Sequence, residues 1–423
     1  MQLLPPHVGC ARTALWHVGG AVPPFSEALA DLLRERCPRR LPPCSIARVD
    51  GAVAAIGRGA QLTALPGRGA ASRYRTVYDV AQAPVALAQA CFSAAAAAPA
   101  SVRLPPDAGA SVSLVIDASA AAPALDRFAL RPLRVFIDGA PAFCAALRDA
   151  LFMRAACAYV EAAGSGHWSL LDRLPFSAVG FRDGEALGAA ADAGFPAARL
   201  LGEYLVCPEK FNFFDLDLAT LVKYLPPGGR RLTLHVALSG LAPDSDGARL
   251  LAPLSADNLL LACTPVVALP GACASPIRVR HAAAGGARGA CDLCHSNAGQ
   301  EGAAWAEILT LYELPEPALW SHFVAAIESL EHWPVSAWLR DRRGRLLLQG
   351  VAVRVRVNEA AVAVGGVHVF AQLVEHFLGR YVQAGSFVQL FVVSESSGAM
   401  LLRRPPRNGD ADLLASIGGA LCK

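Results

Sequence analysis

The sequence predicts an α+β chain of more than one domain, with short strands gathered into mixed sheets and helices packed against them. Three observations predict this. At 423 residues the chain is longer than the size at which a single hydrophobic core usually stops growing. Some runs have the period of a strand with one buried face: valine occupies 351, 353, 355 and 357 while Arg354 and Arg356 face away. Others, such as Val369, Leu373, Phe377 and Tyr381, repeat every four residues as a helix does. We expect three domains. An N-terminal α+β domain takes residues 1–180, and a middle, partly β-rich domain takes 181–300 and ends in a Gly/Ala-rich loop. A C-terminal α/β domain of helix, strand, helix and strand takes 301–423.

The elements follow in chain order. Phe25, Leu29, Leu32 and Leu33 share one face of an amphipathic helix over Phe25 to Arg36, which Pro38 stops. An extended piece, Ser45 to Val49, precedes a turn region through Gly67, Arg68 and Gly69 and then Tyr74 to Val80. β-rich runs at Ser111 to Asp117 and Leu130 to Asp138 lead to a turn at Asp138-Gly139. From there Phe143, Leu147, Leu151 and Phe152 predict a helix reaching about Val160. Strands are expected at Arg231 to Leu238 and Asn258 to Leu269, and a loop over Gly271 to Gly302, which has no apolar period. The last third predicts a helix at Pro317 to Leu330, a strand at Val351 to Val357, a helix at Val367 to Val382 and a strand at Phe387 to Val393.

Composition narrows the function. Hydrophobic residues make up 54% and charged residues 17%, enough apolar material for a sizeable core and too little charge for a disordered chain. The net charge of +3 is spread out, with no basic, aromatic-rich run for nucleic acid. Met1 to Trp16 lacks the pattern of a secretory signal, so a cytoplasmic protein is expected, with its twelve cysteines reduced. Val80 to Val102 and Asn258 to Ile277 are uncharged but interrupted by proline, and neither reads as a membrane span.

Few residues form a pattern that carries chemistry. Cys291, Cys294 and His295 have the Cys-x-x-Cys-His spacing that attaches c-type haem, and with His281 they would offer thiolate and imidazole to zinc. A haem- or zinc-binding redox protein is therefore the alternative reading. Against it stand the absent export signal, the glycines 285, 286 and 289 around the motif, and the lack of a second cysteine pair. There is no Gly-x-Ser-x-Gly elbow, phosphate loop or His-Glu-x-x-His helix. Ser165 and His167 lie in a small-residue turn, and Asp215 and Asp217 have no histidine or ligand set beside them. No cofactor and no catalysis are expected.

The most specific run is Arg199-Leu-Leu-Gly-Glu203-Tyr204-Leu-Val-Cys-Pro208-Glu209-Lys210-Phe211-Asn-Phe213-Phe214-Asp215-Leu216. Read from its residues, Leu200, Leu201, Tyr204 and Leu205 make one helical face and Pro208 ends the helix. Phe211, Phe213 and Phe214 begin a buried extended segment, Phe211 and Phe213 on one face and Phe214 on the other. Lys210 is expected in solvent, as most lysines are.

This run resembles the signature of the TssF family, wedge subunits of the type VI secretion baseplate. Tyr74 to Asp79, Leu133 to Gly139, Val179 to Leu187, Cys263 to Val267, Gly350 to Glu359, Phe370 to Tyr381 and Pro405 to Gly409 are similar to family segments in the same order. The chain looks like a shortened or divergent member, short at its start and between Ile277 and Trp305. The resemblance implies a fold like phage baseplate wedge proteins and a structural role in wedges built with TssG and a second TssF copy. It also implies association with TssK, TssE and the spike hub, and docking on a membrane complex through other subunits.

Overall fold

Alternation in Ala108–Ala118 buries Val112, Leu114 and Ile116 and leaves Ser111, Ser113 and Val115 half-exposed, so the run forms a strand with one face on a core. The computed structural model describes residues 44–50, 55–64, 73–81, 83–119, 124–125, 131–188, 196–269, 292–295, 304–312, 327–341, 344–379 and 387–403. They divide into two units. One holds the described residues of Arg40–Asp192 and Glu203–Pro315, the other those of Ala193–Gly202 and Glu316–Lys423. The units interleave along the chain.

The first unit contains three larger sheets. Cys44–Asp50, Cys263–Ala268, Arg73–Thr76, Gln61–Ala64, Asp292–His295 and Ala304–Tyr312 pair in that order, and the last closes on the first as a barrel. Closure leaves no free strand edge there. The five-stranded sheet runs Trp168–Leu170, Ala155–Ala162, Arg231–Ser239, Ala108–Ala118 and Val85–Ser93. A four-stranded sheet orders Phe176–Ala178, Phe213–Leu216, Leu133–Ile137 and Leu259–Leu260. The main core, with Val112, Leu114, Leu147, Phe214, Leu232 and Leu234, is flanked by a second cluster that includes Ile46, Tyr78, Phe136, Phe213 and Val267.

In the second unit, Ile327–Asp341 and Gly344–Val357 form a long hairpin, and Gly344–Val357 pairs in parallel with Phe387–Ser394. A parallel pair needs a crossover, which the helices Glu359–Gly365 and Val367–Gly379 supply. Asn358 caps the first of them, its side chain accepting from the Ala361 amide at 3.2 Å. Val353, Val355 and Val357 are fully buried and Arg354 and Arg356 are not, as the alternation predicts.

Four expectations are corrected. The helix begun by Pro141 stops at Asp149, passes through a wide turn at Ala150–Arg154, and gives way to the strand Ala155–Ala162. That strand bonds to Arg231–Ser239 on one side and Trp168–Leu170 on the other, and these long-range pairings override an alanine-rich stretch with no decisive period. The single strand expected over Asn258 to Leu269 is two, Leu259–Leu260 and Cys263–Ala268, separated where Ala262 takes φ 59° and sends the chain from one sheet to another. Asp292–His295, expected within a loop, is a barrel strand, opposite Gln61–Ala64 and Ala304–Tyr312. Residues 327–330, expected to end a helix, begin the long hairpin. Residues 25–36, 67–69 and 317–326 lie outside the described residues.

Candidate functional site

The signature opens on the helix Pro196–Val206, where Arg199 is half-buried and Leu200 and Leu201 are buried. Pro208 starts a short 3-10 turn, Pro208–Phe211, and the strand Phe213–Leu216 follows. Phe211 therefore closes a turn rather than opening the strand. It packs on Phe181 and Tyr204, with ring centroids 5.0 and 6.0 Å away. Phe213 packs on Phe136 at 4.8 Å and edge-on to Tyr78 at 5.2 Å, while Phe214 meets Phe176 from the opposite face. The strand is a wall between the two core clusters, and all four of its residues are buried.

Lys210 is the largest departure from the sequence reading: its side chain has no solvent exposure. Its Nζ donates to Glu203 Oε2 at 2.5 Å and to the Gly180 carbonyl at 2.6 Å, and lies 4.8 Å from the centre of the Phe211 ring. Glu203, 1% exposed, also accepts from the Leu187 amide at 2.9 Å through its other oxygen. A lysine is tolerated at such depth because a carboxylate and a carbonyl replace its water.

A second ionic group lies on the strand Phe213–Leu216 itself. Arg134 grips Asp215 with two parallel bonds, Nε to Oδ1 at 2.7 Å and Nη2 to Oδ2 at 2.8 Å, and lies 3.7 Å from Glu185. Burial alone would lower the arginine's pKa, but the bonds and charge of Asp215 outweigh it and the net shift is upward. Glu185 accepts from the backbone amides of Gly180 and Arg182 at 2.8 and 3.1 Å. Tyr78 ties the groups together: its hydroxyl donates to the Lys210 carbonyl at 3.1 Å and its ring lies 4.8 Å under the Arg134 guanidinium. Burial first, then the charge of Glu185, holds the Tyr78 phenol well above its ordinary pKa. Thr264 fixes the Tyr78 backbone, accepting from its amide at 2.9 Å and donating to its carbonyl at 3.2 Å.

Gly180 is the tight point. Its φ of +105° lies in the region that favours glycine, and a Cβ would come within 3.0 Å of the Lys210 carbonyl and 3.3 Å of the Tyr78 hydroxyl. Beyond it, Arg148 Nη1 donates to Asn212 Oδ1 at 2.6 Å. Glu209 is partly exposed as a residue, yet its Oε2 is out of reach of solvent and has no hydrogen-bond partner among the described residues. Burial pushes its carboxyl up to about 8, against its own backbone amide and Arg148.

Sequence reasoning picked out the signature but not its partners Tyr78, Arg134, Gly180, Glu185 and Thr264. Each sits in one of the separate family-like segments, and the fold gathers those segments around Lys210 and Asp215. The cluster is a buried lock, with its charges set against one another. Asp217, just beyond, caps the helix Leu218–Leu221 by accepting from Thr220 and pairs with Arg173 at 2.9 Å.

The other motifs fare differently. Ser165 lies in the hairpin turn between Ala155–Ala162 and Trp168–Leu170, with Gly164 and Gly166 both at φ 71°. Cys291 and His281 lie outside the described residues, while Cys294 and His295 sit on a barrel strand opposite Trp305 and Ala304. No group of three or more metal-ligating residues occurs among the described residues. No helix among them is long and apolar enough to cross a membrane.

Comparison with known proteins gives a matching family model and solved structures of similar fold. The family model for the type VI secretion system protein TssF matches residues 20–285 and 292–411. A chain of the cryo-electron microscopy structure of the type VI secretion system TssK-TssF-TssG baseplate subcomplex is similar in fold, with a TM-score of 0.59 and 18% identity. The likeness covers 91% of this chain and 94% of that one. No curated protein matches.

Proposed function

Because this chain belongs to the TssF family of type VI secretion systems, we propose that it is a structural subunit of the secretion baseplate and assembles into wedges with TssG and TssK. The observation that carries this reading is the family match along nearly the whole chain. The fold likeness to a chain of a TssK-TssF-TssG subcomplex supports it. A second copy of this chain completes the wedge, TssE and the spike hub are further neighbours, and the assembly works on the cytoplasmic side, reaching a membrane complex through other subunits. Its work is mechanical: to hold a ring through wide subunit interfaces and to rearrange when the sheath contracts. The buried lock suits that work, since a signature strand fixed by ion pairs on one side and packed phenylalanines on both gives a rigid body that transmits force.

Co-expression with TssG and TssK from the same genome tests the reading. The three are expected to co-purify, and the chain alone to aggregate or self-associate until TssG is supplied. A well-behaved monomer that ignores both partners would overturn the proposal.

A further inference from the structure

The face of the five-stranded sheet turned away from the main core carries a half-buried polar relay that a structural role does not use. Ser113 and His235 are direct cross-strand partners on Ala108–Ala118 and Arg231–Ser239, and Ser113 Oγ lies 2.9 Å from His235 Nδ1. On the other side of the ring, His235 Nε2 lies 2.9 Å from Glu161 Oε2, carried by the next strand. Glu161 is itself fixed by the Gly166 amide, which donates to its Oε1 at 2.8 Å. Trp168 lies flat on the imidazole, with centroids 3.7 Å apart and planes 13° from parallel.

This geometry has one consistent set of protons. A carboxylate accepts only, so Nε2 carries the hydrogen and donates to Glu161, and Nδ1 is left to accept from the Ser113 hydroxyl. Burial holds the imidazole below its ordinary pKa although Glu161 pulls it up, so the ring is a neutral base at pH 7. For Glu161, burial works upward, but the bonds from His235 and Gly166 outweigh it and keep the group ionised. A nucleophile on a base, with the base oriented by a carboxylate, is the arrangement that activates a hydroxyl, and it is recognised by geometry and roles rather than by fold.

We propose that Ser113 is an activated nucleophile and a covalent modification site for small acyl or phosphonyl donors. Ala96, Ala97, Leu104, Tyr159 and Trp168 wall the His235 ring and Ser113 is not part of that wall, so a donor must be small enough to sit beside the wall rather than within it. The approach follows from the partner of Ser113 on its other side, Cys91, which is short and exposed. With an alkyl fluorophosphonate, Oγ bonds to phosphorus as the P–F bond breaks, the hydroxyl proton passes to His235 Nδ1, and fluoride leaves. With an aryl acetate, Oγ bonds to the carbonyl carbon as the acyl C–O bond breaks, the hydroxyl proton passes to His235 Nδ1, and the phenolate departs.

The test treats the full chain, co-expressed with TssG if that keeps it in solution, with an alkyl fluorophosphonate and maps adducts by mass spectrometry. A single adduct on Ser113 is expected, absent from Ser113→Ala and from urea-unfolded protein, and formed about 100-fold more slowly in His235→Asn. Should His235→Asn fail to fold, Glu161→Gln reads the same dependence, again with a loss of about 100-fold. No adduct on Ser113 in folded protein, or an adduct whose rate ignores both substitutions, overturns the proposal. Its failure leaves the baseplate reading standing, because that reading is tested by co-purification alone.

Discussion

Lys210→Ala separates the structure from the sequence most sharply. A solvated lysine, as the sequence alone suggests, would cost within about 0.5 kcal/mol when truncated. The fold instead places Nζ at zero exposure, bonded to a carboxylate that is 1% exposed and to the Gly180 carbonyl. Truncation removes the cation that neutralises Glu203 and the donor that satisfies Gly180. Breaking one partner of a buried pair costs about 3–5 kcal/mol, a large share of the ~5–15 kcal/mol that holds a typical domain. Lys210→Met keeps most of the stem and is expected to lose nearly as much, which assigns the loss to charge rather than volume. Adding Glu203→Gln to Lys210→Met removes the stranded carboxylate and should recover about 1–3 kcal/mol as coupling. Urea denaturation followed by tryptophan fluorescence measures all four corners of this cycle. A Lys210→Ala chain that unfolds within 0.5 kcal/mol of the parent, or a cycle with no coupling, would refute the reasoning.

What the sequence revealed about the fold divides by range. The strand at 351–357 and the helix from Val367 were legible because their periods are written in consecutive residues. The stretch 155–162 was not, because its strand character comes from partners at 231–239, some seventy-five residues later in the chain. The site divides the same way. The phenylalanines announce burial by composition, and Phe213 and Phe214 lie on opposite faces as alternation requires. Lys210 gives no local sign of burial, since Gly180 is thirty residues upstream and reaches it only in the fold. The resemblance marked Tyr78, Arg134, Gly180 and Thr264 as parts of separate segments, yet no spacing in the sequence says that those segments meet.

Three further outcomes follow from the lock. Phe213→Ala leaves a hole between the rings of Tyr78 and Phe136 and is expected to cost about 3–5 kcal/mol and to abolish wedge assembly with it; unchanged melting with lost partner binding would mark the strand as a docking surface instead. Glu209 has a folded pKa raised to about 8 from 4.5, so between these values the folded chain holds a proton that the unfolded chain gives up, and stability falls as pH rises through that window. Glu209→Gln should flatten that slope and raise the melting temperature at pH 8; a parallel pH profile in parent and variant would count against it. The third concerns register. A strand buried on one face is held in register by its apolar alternation, but Phe213–Leu216 is buried on both, so a slip of one residue would exchange Phe213 for Phe214 with little apolar cost. The same slip would pull Asp215 away from Arg134, its direct cross-strand partner and bidentate ligand. The ion pair thus specifies what the phenylalanines leave open, a role in which buried polar groups confer uniqueness rather than stability. Replacing both members, Arg134→Met with Asp215→Leu, should therefore keep the midpoint of unfolding near that of the parent while the amides of 213–216 lose protection in hydrogen exchange. If protection stays at the parental level in that variant, the register is set by packing alone and the ion pair has no part in choosing it.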